Sequence, residues 1–329
     1  MTNIWRCMVF VVALFSMVPV VNAQGNAQNN VQNFPSRPIR IIIPFLPGGP
    51  SDVMGRLVAE RLNRVWGVQV VPENRGGAGG HIGLDMCAKA PPDGYTLCTM
   101  TVSHAAAPSI YRTPVNDPVR DFSHVTLLAI LPSILTVHPL LPIKNVKDFI
   151  GYAKSHPGQL TFSSAGNGTS PHMLMEMLKW MAGVEMVHVP YKGLAPALMD
   201  QIAGQIQVGF NTSISVVPHI ASGKLRGIAT STKERFPLLP DLVSVDETIK
   251  GFEGNSWQGL VMPAKTPRNI VMKLYNNLVP MLKSADTTEK FLAQGAIPSG
   301  MEPDLFEAYV KNEAEKWAKV AKATGVMAE

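Results

Sequence analysis

Short runs of almost wholly apolar residues alternate along this chain with longer stretches in which apolar positions recur every three or four residues, and Gly- or Pro-bearing turns separate the two. The first pattern reads as a strand covered on both faces, the second as an amphipathic helix. Arg40-Ile41-Ile42-Ile43-Pro44 is the first predicted strand. Pro47-Gly48-Gly49-Pro50 then turns the chain, Ser51 is placed to cap, and Val53, Leu57, Val58, Leu62 and Val65 make one helical stripe that stops at Gly67. Strands are predicted over 68–72 and 95–100, with a helix between them that follows Gly76-Gly77-Ala78-Gly79-Gly80 and runs to about residue 90.

A second series begins after the apolar segment 125–137, which reads as a crossover. A helix over 145–156, a strand over 160–163 and the loop Ala165-Gly166-Asn167-Gly168-Thr169 lead to Ser170-Pro171, a cap-and-proline helix start. Met173, Leu174, Met177, Leu178 and Met181 share one face of that helix, a spacing that marks a core face rather than a soft-metal site. Further strands are predicted over 184–189, 206–210 and 225–230; the segment 257–263 carries the chain back, and helices over 267–283 and 303–323 close it. This alternation predicts an α/β chain with parallel sheets flanked by helices. Its length exceeds what one core usually holds, so two lobes are expected, the first from 37–126 with 255–329 and the second from 127–254.

The first residues set the compartment. One basic residue, Arg6, precedes an apolar stretch over 8–21 that ends in Val21-Asn22-Ala23, the form of a secretory signal cut after Ala23. The stretch is short for a membrane span, a permanent anchor being the alternative, and residues 24–36 read as a polar leader. Export to the periplasm is therefore expected. Loss of Arg6 lowers the formal net charge from +5 to +4, and 16% charged with 46% hydrophobic residues is an ordinary globular composition. Basic residues are scattered rather than striped, which argues against nucleic acid as a partner. Cys7 leaves with the signal, so Cys87 and Cys98 stand either as a disulfide or as two buried thiols.

Two of the predicted strand–loop–helix units share a design: Pro47-Gly48-Gly49-Pro50-Ser51-Asp52 in the first lobe, and Ser163-Ser164-Ala165-Gly166-Asn167-Gly168-Thr169-Ser170 in the second. Each delivers a glycine-rich turn into a helix whose first N–H groups lack intrahelical partners, and such ends attract anions. Glycine lets backbone approach a ligand, while Ser and Thr add hydroxyl donors. If the turns face one another, they hold a small carboxylic acid with no metal, cofactor or covalent chemistry. No Gly-x-Ser-x-Gly elbow, His-Glu-x-x-His, Cys-x-x-Cys, Rossmann glycine spacing or Gly-Lys-Ser/Thr loop occurs, and the histidines stand singly. The chain is accordingly expected to be no enzyme. An exported hydrolase of a carboxylate ester and a ligand sensor for a signalling partner are the alternatives.

The order of motifs is more specific than any one of them. Phe45-Leu46-Pro47-Gly48-Gly49-Pro50-Ser51-Asp52, Glu73-Asn74-Arg75-Gly76-Gly77-Ala78-Gly79-Gly80-His81-Ile82-Gly83, Pro92-Asp93-Gly94-Tyr95-Thr96-Leu97, Ser164-Ala165-Gly166-Asn167-Gly168-Thr169-Ser170-Pro171-His172 and His188-Val189-Pro190-Tyr191-Lys192-Gly193 form a series. It resembles the tripartite tricarboxylate transporter receptors, or Bug proteins, over nearly the whole chain beyond the leader. The resemblance implies a type II periplasmic-binding-protein fold, two Rossmann-like lobes joined by crossover strands with a ligand cleft between them. Family ligands are carboxylates such as citrate, dicarboxylates, acidic amino acids or aromatic acids.

Carried onto this sequence, the resemblance places Phe45, Pro47, Gly48, Gly49 and Ser51 around one carboxylate, with Ser103 and His104 lining the same cleft. Ser163, Ser164, Gly168 and Thr169 would grip the other end of the ligand, and His172, Tyr191, Asn211 and Thr212 would shape the far wall. Asp52 would fix its helix start. Membrane transporter subunits are the implied partners of a monomeric receptor. The sequence departs from the family pattern at Gly76 and His81, and at Gln207 and Asn211, where relatives often carry Asp. Without those acids an amino-bearing ligand is disfavoured, because a buried ammonium needs a carboxylate partner.

Overall fold

The computed structural model describes residues 33–113, 116–236, 238–293 and 295–327; the expected signal, and residues 24–32 of the leader, lie outside the described residues. Strands β1 (Ile39–Ile43), β2 (Val70–Asn74) and β3 (Thr96–Thr101) alternate with α1 (Pro50–Trp66) and α2 (His81–Ala88). Helix α3 (Val102–Ile110) and strands β4 (Phe122–Leu131) and β5 (Ser133–Val137) follow. Then come α4 (Val146–Ser155), β6 (Thr161–Ser164), α5 (Ser170–Ala182), β7 (Val187–Pro190), α6 (Leu194–Ile202), β8 (Val208–Thr212), α7 (Ser213–Ala221), β9 (Arg226–Thr230) and α8 (Val245–Thr248). The chain ends with β10 (Ser256–Pro263), α9 (Arg268–Leu282), α10 (Ala285–Ala293), β11 (Ile297–Pro298) and α11 (Pro303–Thr324).

The strands form two sheets, ordered β11-β4-β10-β3-β1-β2 and β7-β6-β8-β5-β9. This is the two-lobe type II arrangement. The sheets are mixed rather than parallel throughout: β1 pairs in parallel with β2 and β3, and β6 with β7 and β8, whereas β10 runs against β3 and β4, and β5 against β8 and β9. The cause lies in the connection. β4 passes into β5 through Pro132 alone, with no helix to turn the chain back, so β5 enters its sheet against its neighbours. Only one residue therefore separates the sheets on the outward path, and β10 makes the return.

One apolar cluster runs through both lobes, from Ile42 and Leu127 to Phe162, Trp257 and Trp317. Helix α11 packs on both α3 and α5 and so touches each lobe. Its buried Glu313 accepts N–H bonds from Trp257 (2.9 Å) on β10 and Trp317 (3.0 Å), which ties the C-terminal helix to the returning strand. Cys87 and Cys98 are joined as a disulfide between α2 and β3. Helices α3, α6 and α7 have no counterpart in the sequence expectation. Each is nine residues long and carries a proline, Pro108, Pro196 or Pro218, which reads locally as a breaker.

Candidate functional site

Where the lobes meet, a cleft encloses about 750 Å³ of empty space, counting its open mouth. Five helices start on it: α1 through Gly49, Pro50 and Ser51; α3 through Thr101 and Val102; α5 through Thr169, Ser170 and Pro171; α6 through Gly193 to Pro196; and α7 through Thr212. The local sequence explains the starts, since Pro50 and Pro171 sit in first turns and Thr101, Thr169 and Thr212 at caps. At α1, α5, α6 and α7 no side chain caps the first N–H groups. The Ser213 N–H of α7 bonds the Pro132 carbonyl (2.8 Å) and the Asp52 N–H of α1 the Gly49 carbonyl (3.0 Å), while the first donors of α5 and α6 are left for whatever fills the cleft.

The lining contains no Asp, Glu, Lys, Arg or His among the described residues. Its polar side chains are Ser51, Thr101, Thr169, Ser170, Thr212, Ser256 and Gln258, and Phe45, Leu46, Val102, Leu194 and prolines make apolar walls. Ser170 Oγ is buried on this surface without a hydrogen-bond partner. The positive character of the cleft therefore comes from helix ends and main-chain N–H groups, not from cations.

In the first lobe the loop after β1 is braced from behind. Asp52 Oδ2 accepts the Gly48 N–H (3.0 Å), Arg56 Nε donates to both carboxylate oxygens (3.0 Å each), and Asn74 Nδ2 donates to Asp52 Oδ1 and the Phe45 carbonyl (3.0 Å each). Burial alone would raise the Asp52 pKa, but the bonds from Arg56, Gly48 and Asn74 outweigh it and hold the carboxyl below its ordinary value. Ser51 Oγ donates to Gln258 Oε1 across 2.7 Å. Ser103 donates to the Gly79 carbonyl (2.5 Å) and His104 Nδ1 accepts the Thr101 N–H (3.0 Å). Both face the scaffold rather than the cavity. Burial, with His81 beside it, pushes His104 down to about 3, so the ring is neutral.

In the second lobe the turn after β6 is also built from internal bonds. Ser164 Oγ accepts the Gly166 N–H (3.1 Å), Thr169 Oγ1 donates to the Gly166 carbonyl (2.6 Å), and His172 Nδ1 accepts the Gly168 N–H (3.0 Å). His172 stacks on His188 at 4.0 Å, and His188 on Phe162 at 4.8 Å. Burial is the main cause that lowers His172 to about 3 and His188 to about 4. Gly168 has φ +73°, which strains any side chain, and an added Cβ would run into the terminal methyl of Ile110 on α3 in the other lobe, so that methyl would have to shift. Tyr191 donates to Asp200 (2.6 Å), and burial together with that carboxylate pushes its phenol up to about 12. Asn211 donates to Gln201 (2.7 Å) and Thr136 (2.8 Å), behind the cavity.

Of the residues singled out from sequence, Phe45, Pro47, Gly49, Ser51, Thr169 and Thr212 line the cavity, and Gly48 lines an adjoining hollow. Ser103, His104, Ser163, Ser164, Gly168, His172, Tyr191 and Asn211 stand outside that lining. All but Ser163 and Gly168 spend polar side-chain atoms on the bonds just described. Sequence reasoning missed Thr101, Ser170, Ser256, Gln258 and the start of α6. Gly193 followed by Pro196 signals a helix start, and Gln258 is a polar residue within a strand buried along its whole length.

Among the described residues the lining offers hydroxyl, amide and main-chain groups, and no carboxylate, amine or imidazole stands in it to activate a nucleophile. Ser51 gives its proton to an amide carbonyl, and no imidazole reaches the cavity surface. The Ser164–His188 contact (2.7 Å) is part-buried and outside the cavity lining, and there Ser164 Oγ donates to the Gly166 carbonyl (3.0 Å), which leaves His188 to donate.

Comparison with known proteins agrees with this architecture. Residues 54–326 match the family described as "Tripartite tricarboxylate transporter family receptor". An R. palustris protein solved with adipate, Rpa4515, is 35% identical and superposes with a TM-score of 0.86 over 89% of this chain and 99% of its own. The periplasmic binding protein BugD is 34% identical, with a TM-score of 0.84 over 90% of this chain and 100% of its own. MatC from Rhodopseudomonas palustris, solved with malate, is 30% identical, with a TM-score of 0.83 over 87% and 99%. The two-sheet fold, the cleft between its lobes and the match over most of the sequence place this chain in the tripartite tricarboxylate transporter receptor family.

Proposed function

We propose that the chain is a periplasmic receptor that closes its lobes on one small carboxylate, acts as a monomer without turning its ligand over, and delivers it to transporter subunits in the membrane. The observation that carries this reading is the convergence of helix starts without side-chain caps on a cavity whose lining, among the described residues, holds no acidic, basic or imidazole side chain. Each hydrogen bond to a charged oxygen contributes about 1.5–3 kcal/mol and each helix end about 0.3–1 kcal/mol. Micromolar affinity needs about 8 kcal/mol, which four or five such contacts supply. A ligand ammonium would find no carboxylate in the lining, so plain diacids, triacids and aromatic acids are favoured over amino acids. The apolar walls suit a hydrocarbon or aromatic body. The solved relatives with adipate and malate support the same class.

Isothermal titration against mono-, di- and tricarboxylates, with an ester-hydrolysis assay alongside, tests the proposal. Saturable binding of an acid without ester turnover is expected; turnover without saturable acid binding overturns it.

A further inference from the structure

The cleft is floored by the strand that returns the chain to the first lobe, and one side chain of that strand differs from the rest of the lining. Gln258 on β10 pairs with Thr101 of β3 and Ala129 of β4, is 3% exposed, and lines the cavity. Its Oε1 accepts the Ser51 hydroxyl across 2.7 Å. Its Nε2 has no protein partner among the described residues. A carboxamide nitrogen carries two N–H donors, and this one is not fully buried but opens onto the cavity. Every other polar side chain of the lining is a hydroxyl, which can donate or accept. Among the described residues, Gln258 Nε2 is thus the only side-chain group of the lining that can do nothing but donate.

We propose that Gln258 is a selectivity residue of the cleft: its Nε2 donates to an oxygen of the bound acid, and Ser51 is the positioning residue that holds the carboxamide with nitrogen toward the ligand. The inference rests on the carboxylate reading above and deepens it. Ser51 lies in the first turn of α1, so closure of the glycine loop over a ligand and orientation of the amide are linked through one bond. The neutrality of Gln258 matters as much as its donors. A carboxylate of the same shape at this position would face an incoming anion in a cavity with no cation to offset it.

The test is calorimetric titration of the full exported chain with adipate, malate and benzoate, using whichever binds wild type best as the probe. Gln258→Met, of similar length and without donors, is expected to weaken the probe 10- to 100-fold at an unchanged melting temperature. Gln258→Glu, identical in shape, is expected to weaken it more than 100-fold. Ser51→Ala should cost 3- to 10-fold in wild type and nothing further in the Gln258→Met background, and Ser51→Thr should restore most of the loss. A merely structural role for Ser51 would give additive losses. Affinity within twofold of wild type in Gln258→Met overturns the proposal; if that variant does not fold, affinity retained in Gln258→Glu does so. A wild-type chain that binds no acid in a wider panel of mono-, di- and tricarboxylates overturns the carboxylate reading itself, and this inference with it.

Discussion

Gly79 of the first lobe and Asn167 of the second approach so closely that a methyl group on Gly79 would sit 2.6 Å from the Asn167 carbonyl oxygen. Gly166 completes the contact, its own added Cβ falling 3.5 Å from the Gly79 Cα. The Gly166 distance is ordinary van der Waals contact, so it is the missing side chain of Gly79 that lets the two loops meet main chain to main chain. Gly79 also has φ +61°, a conformation that L side chains rarely adopt.

Gly79→Ala should therefore act as a wedge. We expect ligand affinity to fall about 10-fold, since closure is part of binding, with a loss of stability near 1–2 kcal/mol from backbone strain. Titration together with small-angle scattering checks this. The variant should give a larger radius of gyration than wild type at saturating ligand.

The histidines make stability depend on acid. His81, His104, His124, His172 and His188 are lowered, chiefly by burial, to about 4, 3, 4, 3 and 4. In the unfolded chain each titrates near its ordinary value of about 6.5, so between these limits the unfolded state binds more protons. Stability should thus be level above pH 6.5, fall as pH drops below it, and stop losing ground to these rings below their folded values. The steepest loss is about 1.4 kcal/mol per pH unit for each ring. Melting curves from pH 8 to 4 measure it, and a flat melting temperature from pH 6.5 to 4.5 would contradict the burial of these rings as neutral groups.

Reduction of Cys87–Cys98 should lower stability without touching function. The bridge closes a short loop of sequence separation 11, for which the chain-entropy relation gives about 3 kcal/mol. Neither cysteine lines the cleft. Melting with and without reductant should show the loss, while the affinity of the reduced, still folded chain stays within about twofold.

What was legible in the sequence, and what was not, follows from how local each signal is. Pro47-Gly48-Gly49-Pro50 and Ser170-Pro171 marked the starts of α1 and α5 because glycine and proline constrain the chain where they stand. The starts of α3 and α7 were hidden, since Pro108 and Pro218 inside nine-residue helices mask helical spacing, whereas α6 carried a signal in Gly193 and Pro196 that sequence reasoning missed. Polar residues near the glycine turns were read as ligand contacts, yet packing turned Ser103 toward Gly79 and His172 toward Gly168. Nothing local could point Gln258 at the cavity. Its placement depends on its register with Thr101 and on Ser51, 207 residues earlier in the chain.

The central claim is that main-chain and neutral donors alone make this cleft an anion site. Titrating the wild-type chain with each acid of a mono-, di- and tricarboxylate panel, and with the primary amide of each, measures that claim most directly. At least one acid should bind saturably in the micromolar range, with its uncharged amide at least 30-fold weaker. An amide that binds as tightly as its acid, or a panel in which no acid binds, would contradict the account.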